Sequence, residues 1–362
     1  MRKEAWGKSD EKSEEKDGGK KYGGKRMRQK ETRSAPGQIG GRLLRYGIKM
    51  ITLLLAVSIL SFLLVNASPV DPVQQYILGL GTAVSAEQRT EIEAYWGVGE
   101  PPVERYLGWL SELLKGNLGE SSLYRRPVAD LIRERFMNSL LLMSCSWILS
   151  GLTGFAAGCL MGMFRDRLPD RILKKICYIL SSLPSFWLGL VFLLVFAVRL
   201  KWFPVGFSSP AGIPEAQVTL GQRIHHLILP AVTLSLMSFS QIALHTRQKL
   251  SEVMESDYVL FACARGEGRW AILFRHGIRN IILPAITLQF ASFAELFGGS
   301  VIAENVFSYP GLGSAVSAAG LNGDVPLLLG ITLCSAVFVC TGNMIADLLY
   351  SRVDPRIGEA ES

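Results

Sequence analysis

The chain has 362 residues, 49% of them hydrophobic and 19% charged, with a mean hydropathy of +0.27 and a formal net charge of +7. It is too apolar for an ordinary soluble domain and its apolar residues are gathered into long runs, so the composition excludes a soluble enzyme core and predicts an integral membrane protein. The six cysteines, Cys145, Cys159, Cys177, Cys263, Cys334 and Cys340, show no CxxC or Cys/His ligand spacing, and none is placed for an extracytoplasmic disulfide. They read as small apolar packing residues.

In chain order, residues 1–41 are rich in Lys, Glu and Gly and have almost no large apolar groups. Such a segment buries too little surface to offset its ordering entropy, so a disordered cytoplasmic tail is expected. Its GKKYGGKR run from Gly19 nearly spells a phosphate-binding loop, but Arg26 stands where Ser or Thr is needed and no strand precedes it. No nucleotide site is expected, and no cofactor. The first membrane helix is placed at 42–66. A cleaved signal peptide is the alternative, disfavoured by the long polar tail ahead of it and by the poor cleavage site at Asn66-Ala67-Ser68.

Residues 67–136 form an external segment whose acids outnumber its bases, read as a small mixed cap. A core with five of the membrane helices then runs over 137–350, with a cytoplasmic tail at 351–362. Six runs are long and apolar enough to span as helices: 46–65, 137–164, 176–198, 227–246, 281–303 and 325–350. The fold class is therefore all-α and polytopic. Gly154, Gly158 and Gly162 recur every four residues in the second run, a seam where another helix can approach the backbone, in this chain or a partner. Pro184, Pro230 and Pro284 mark positions for kinks.

Orientation follows from basic residues. Of 38 Lys and Arg, the N-terminal tail with the inner end of the first span, segments 165–175 and 247–279, and the end of the chain hold 28, against 10 in the alternate segments. The positive-inside rule then puts both termini in the cytoplasm and makes the net charge a topology signal, not a nucleic-acid footprint.

The most informative stretch is DYVLFACARGEGRWAILFRHGIRNIILP, residues 257–284, a charged insert between two apolar runs. Ala262 and Gly266 stand four apart, so on one continuous helix they share a face and leave a flat spot for another protein. Arg265, Arg269, Arg275 and Arg279 surround it. This run resembles the ATPase-contacting loop of ATP-binding-cassette importer permeases of the oligopeptide, dipeptide and nickel branch. Asp257, Tyr258, Val259, Ala262, Ala264, Arg265, Gly266, His276, Arg279, Asn280 and Pro284 carry the resemblance; the glutamate of the wider motif would fall near Leu260. Similar runs extend it over nearly all of the chain beyond the tail: Leu118, Gly119, Ser121, Pro127, Val128 and Arg135; then Glu304, Phe307, Pro310, Gly311, Leu312 and Gly313; then Asp347 to Tyr350 with Asp354, Pro355 and Arg356.

The resemblance implies a permease subunit without its own ATPase, seated in lipid at the cytoplasmic membrane. It implies three kinds of partner: two cytoplasmic ABC ATPase subunits docking at Asp257, Tyr258, Ala262, Ala264, Arg265 and Gly266, a second homologous permease, and an extracytoplasmic solute-binding protein. Peptides or a nickel chelate are the expected cargo, with a lean to nickel because Glu295 lies mid-run beside Gly298 and Gly299, as in nickel-type permeases. Ionisable groups within spans default to functional roles, so Glu295 is a candidate for the translocation path; a buried hydrogen-bonded carboxylate is the structural alternative. A secondary transporter driven by an ion gradient is the rival function, with Glu295 and Asp347 as its only ionisable candidates and no inverted repeat to support it. His225 and His226 are adjacent and diverge on a helix, which argues against a joint metal site. His245, with Arg247 and Lys249, reads as an interfacial anchor.

Overall fold

The computed structural model describes residues 36–67, 73–74, 77, 84–95, 101–210, 212–213 and 217–353. The bulk of the N-terminal tail with its near-phosphate loop, Asp71-Pro72, and Asp354 to Arg356 lie outside them. Within them the chain is helical, with a single isolated bridge between Glu120 and Pro127. The elements are α1 (Pro36–Asn66), α2 (Ala86–Tyr95), α3 (Pro102–Leu114), α4 (Val128–Met163), α5 (Leu168–Ser182), α6 (Ser185–Phe192), α7 (Leu220–Met254), α8 (Asp257–Ala264), α9 (Arg269–Ile272), α10 (Ile278–Ala291), α11 (Phe293–Val306), α12 (Leu312–Leu321) and α13 (Val325–Val353). Wide π-type turns, Leu193–Arg199 and Leu273–Gly277, extend α6 and join α9 to α10.

Among the described residues, five helices are long and apolar enough to cross a membrane, six if the bent α5 and α6 pair is one span. Three expectations change. The run at 176–198 is not a straight span: α5 and α6 meet at 107° across Leu183 and Pro184, where Pro184 is extended (ψ 135°) and cannot continue the α5 hydrogen bonds. Pro230 and Pro284, by contrast, lie inside α7 and α10 without ending them. The run at 281–303 is interrupted at Ser292, and its first half belongs to a span that begins at Arg269. In the 67–136 segment the described residues include the helices α2 and α3, followed by a turn that carries the Glu120–Pro127 bridge. α1 also starts at Pro36, ahead of the expected boundary, in keeping with the suitability of proline for a first helical turn.

The glycine seam has its partner in the same chain. A Cβ on Gly154 would stand 3.0 Å from Ile242 Cβ, one on Gly158 2.5 Å from Thr246 Cβ and 2.6 Å from the Ala243 carbonyl, and one on Gly162 2.8 Å from Leu250 Cβ. α4 therefore lies backbone to backbone against α7, which starts with a Thr219/Gln222 capping box. Across the same helix α4, Trp147 and Gln289 of α10 exchange hydrogen bonds between side chain and backbone, at 2.8 and 2.6 Å. α5 is fixed to α7 by a bidentate pair in which Arg247 donates to the fully buried Asp170 at 2.5 and 2.7 Å. Arg247 is thus a structural partner, not the interfacial anchor expected.

Two further buried acids fasten the other end. Glu304 accepts from Ser139 Oγ (2.6 Å) and from the backbone N–H groups of Gly313 (2.7 Å) and Ser314 (3.2 Å), so its charge sits at the N-terminus of α12, where unpaired N–H groups favour an anion. Any side chain on Gly311 would meet that carboxylate at 2.2 to 2.4 Å, which accounts for glycine there. Asp324 accepts from Ser121 Oγ (2.5 Å) and the Leu123 N–H (3.0 Å), and also from the Leu327 N–H of α13 (3.2 Å), tying the 118–127 turn to the bundle.

Adding one methyl group at Gly158 should force the α4 and α7 backbones apart and lower stability by about 1–3 kcal/mol. The check is the thermal midpoint of the detergent-solubilised protein, with Gly221→Ala, which meets nothing within 4 Å, leaving it unchanged or slightly raised.

Candidate docking loop and pathway carboxylate

Past α7 the chain reverses at Ser256, and Asp257 stands in the first turn of α8, where a negative charge complements the helix dipole. One face of this short helix is buried: Val259 and Ala262 pack with Ile272, Val253 and Met254. Ala262 therefore faces inward, and the flat outer spot expected from Ala262 and Gly266 does not form. The helix ends before Gly266. Gly266 has φ +83°, its N–H donates to the Cys263 carbonyl (2.9 Å), and the Glu267 N–H donates to the Ala262 carbonyl (3.1 Å). That paired closure is the Schellman stop, whose left-handed position favours glycine. Arg265 is the last residue before it, and both Ala264 and Arg265 are exposed.

A residue that pattern reading passed over organises the loop. Glu267, with its side chain 11% exposed, stands 2.7 Å from Arg265 Nη2, 3.6 Å from Arg275 Nη1 and 3.4 Å from His276 Nε2. Desolvation pushes the Glu267 carboxyl up, but the neighbouring Arg265, Arg275 and His276 outweigh it and hold it below the usual carboxyl range. On the other side of the hairpin Asn280 donates to the Tyr258 hydroxyl (3.1 Å) and the His276 carbonyl (2.8 Å). Its signal in the sequence was the single acid at the turn among four arginines.

The loop's outer surface is apolar and aromatic. Tyr258, Leu260, Phe261, Trp270 and Phe274 are all exposed, Phe261 by 75%, and the Trp270 and Phe274 rings stack at 6.3 Å. Its root is buried: Leu273 and Ile281 share a cluster with Cys159, Met163 and Leu250, and Gly277 abuts Leu250. Arg165, at the end of α4, pairs with Glu255, and Arg269 lies over the Phe164 ring at 5.9 Å.

Glu295 is in a different setting. Its side chain is exposed and has no hydrogen bond or ion pair among the described residues, so it is not part of a buried network within this chain. Ala291, Glu295, Gly298, Ile302 and Asn305 are exposed at alternating spacings of four and three, one stripe along α10 and α11, while Leu296, Gly299, Ser300, Ala303 and Glu304 are buried behind it. Beside Gly298 the space is open. Asp347 accepts a hydrogen bond from Tyr46 at 2.9 Å. His225 and His226 bond separate backbone carbonyls, of Trp202 and Gly206, and among the described residues no group of three His, Cys, Asp or Glu could hold a metal ion.

Residues 154–359 match the family of binding-protein-dependent transport system inner membrane components. The chain belongs to that family. It is a multi-pass membrane permease of ATP-binding-cassette importers, in the oligopeptide, dipeptide and nickel group. The permease is 35% identical over 316 residues to the oligopeptide transport system permease protein AppB of Bacillus subtilis, a match covering 87% of this chain and 98% of that protein. It is 33% identical over 321 residues to the glutathione transport system permease protein GsiC of Escherichia coli K12, covering 87% and 99%. A solved structure, the MetNI methionine ABC transporter in an inward-facing conformation, aligns with a TM-score of 0.45 at 16% identity over 60% of the permease and 96% of that chain.

Gly266→Ala should place a side chain in left-handed backbone at a penalty of about 1–2 kcal/mol. Amide protection over 262–267 should fall roughly tenfold, while Gly268→Ala, with open space and ordinary backbone, changes little. Because the Glu267 carboxyl is depressed in the folded loop, its contribution is present above the unfolded value and lost as pH falls through the folded one. Protection factors across the loop should therefore drop on acidification, and Glu267→Gln should abolish that dependence.

Proposed function

We propose that this chain is the membrane-spanning subunit of a peptide importer, driven by two separate ATPase subunits that dock on the 257–280 hairpin and paired with a second, homologous permease. The observation that carries the reading is the exposed Leu260, Phe261, Trp270 and Phe274 surface on a loop whose root is buried with Leu250. Exposed apolar clusters of this kind mark protein contacts, and Leu260 and Phe261 stand on α8, ahead of the span that begins at Arg269. The docking role of Asp257, Tyr258, Ala262, Ala264, Arg265 and Gly266 is thereby refined: Ala262 and Gly266 shape the hairpin from within, and the contact is made by its outer residues. With both termini in the cytoplasm, the hairpin meets a cytoplasmic ATPase. An extracytoplasmic binding protein delivers the cargo at the opposite side.

Peptide cargo is favoured by the relatives named for oligopeptide and glutathione transport. One observation keeps a cationic or nickel-chelate cargo as a second reading: the unpartnered carboxylate of Glu295, which in this proposal lines the path between the two permeases. A secondary transporter is the weaker alternative, since Asp347 is already bonded to Tyr46 and leaves Glu295 alone as an ion ligand.

Phe261→Ser should cut co-purification of the ATPase by roughly thirtyfold, as loss of an aromatic interface anchor of about 2 kcal/mol would, with membrane insertion intact. Undiminished capture and coupled ATP hydrolysis in that variant would refute the docking surface. For the path, uptake of short peptides and of a nickel chelate is compared in wild type and Glu295→Gln at matched abundance. Selective loss of nickel uptake supports the cationic reading; equal retention of both activities removes Glu295 from the path and leaves peptide as the cargo.

A further inference from the structure

The helix α3, which follows the first span, divides its surface into three sectors, and one of them is largely uncovered among the described residues. Tyr106 and Trp109 turn towards α1: the Tyr106 hydroxyl is 2.8 Å from Ser58 Oγ, its ring meets the Phe62 ring edge-on at 5.3 Å, and Trp109 lies 5.9 Å from Tyr106. Arg105 donates to Asn66 and stands over the Phe62 ring at 5.6 Å. A second arc, Glu104, Gly108, Ser111 and Glu112, is polar and exposed, with Glu112 paired to Lys115 at 2.7 Å. The third arc is Val103, Leu107, Leu110 and Leu114, at i, i+4, i+7 and i+11 on one helical face. Of these, Val103 is 68%, Leu107 55% and Leu114 81% exposed.

What covers that arc follows from the helix that holds α3. Only 11% of the α1 span window is buried by protein, and Leu60, Leu63 and Leu64 are exposed, so its outward surface is made for hydrocarbon. α3 touches α1 at Ser58, Phe62 and Asn66, four-residue steps that take it along roughly the last 12 Å of the span at 1.5 Å per residue. For a span that ends at Asn66, that stretch includes the boundary at which hydrocarbon gives way to headgroups. An amphipathic helix there rests with its apolar face in the acyl boundary and its polar face in water, and aromatic rings favour the same zone.

We propose that α3 is an interfacial helix, lying in the bilayer surface at the C-terminal end of the α1 span with Val103, Leu107, Leu110 and Leu114 against lipid. Its charged residues are balanced, Glu104 and Glu112 against Arg105 and Lys115, so the contact is apolar and does not require anionic headgroups.

The test uses the assembled wild-type transporter in phosphatidylcholine nanodiscs, photolabelled in parallel with a membrane-partitioned and a water-soluble diazirine, with adducts mapped by mass spectrometry. The membrane reagent is expected to label Val103, Leu107, Leu110 and Leu114 about tenfold more than Glu104, Ser111 and Glu112, as residues on opposite sides of the interface should differ. The water-soluble reagent should show the reverse. Labelling of the apolar arc by the water-soluble reagent would overturn the proposal. So would protection from both reagents, which would mean that a protein covers the arc, whether the second permease, another copy of this chain or the binding protein.

Discussion

The backbone contact between α4 and α7 is the constraint on which the rest of the permease depends. Lipid offers two helices no hydrophobic reason to associate, so the contact must come from close van der Waals approach. Gly154, Gly158 and Gly162 supply it by letting Ile242, Thr246 and Leu250 settle where a Cβ would otherwise stand. Other elements are then fixed to this pair and not to one another at random: α5 through Asp170 and Arg247, α10 through Trp147 and Gln289, and the 257–280 hairpin through Leu250.

The acids divide by environment. Asp170, Glu304 and Asp324 are fully buried, and each is satisfied by strong donors: a guanidinium, a helix N-terminus with a serine, and a turn with a serine. Removing one partner of such a group strands a charge and is strongly destabilising, so these residues hold the fold. Glu295 has none of these partners and stands on an open stripe. A charge kept on such a surface of a membrane protein is expensive unless water, cargo or another subunit meets it. That contrast, more than its position in the sequence, separates it from the structural acids.

Much of this was legible before any coordinates. Runs of apolar residues marked the membrane-spanning helical class because spanning length is a composition property, although the runs at 176–198 and 281–303 break, and the four-residue glycine spacing announced a seam. The 107° turn at Pro184 was visible only as a proline, since Pro230 and Pro284 carry the same signal inside unbroken helices. Four-residue spacing also misled: Ala262 and Gly266 share a face only if the helix continues, and the positive φ of Gly266 ends it. Asp170 with Arg247, and Ser139 with Glu304, are far apart in sequence, so no local pattern could have paired them. Glu267 was legible in charge but not in role, because Arg265, Arg275 and His276 converge on it only when the hairpin closes.

The hairpin's construction also bears on how work could reach the membrane. Leu260 and Phe261 project from the same short helix whose inner face, Val259 and Ala262, packs on Ile272, and the adjoining Leu273 sits with Leu250 of α7. Both ends of the hairpin are clamped, by the Schellman stop with Glu267 at the tip and by Tyr258 with Asn280 at the base. Phe261 is therefore linked to α7 through packed side chains, by way of Val259, Ala262, Ile272 and Leu273. From α7 the linkage passes to α4 by backbone contact and to α5 by a bidentate ion pair, and close-packed elements of this kind move as bodies, not as continuously deformable chains. The chain turns sharply elsewhere, by 107° at Pro184, and the helix is interrupted at Ser292, with Glu295 one turn beyond that interruption.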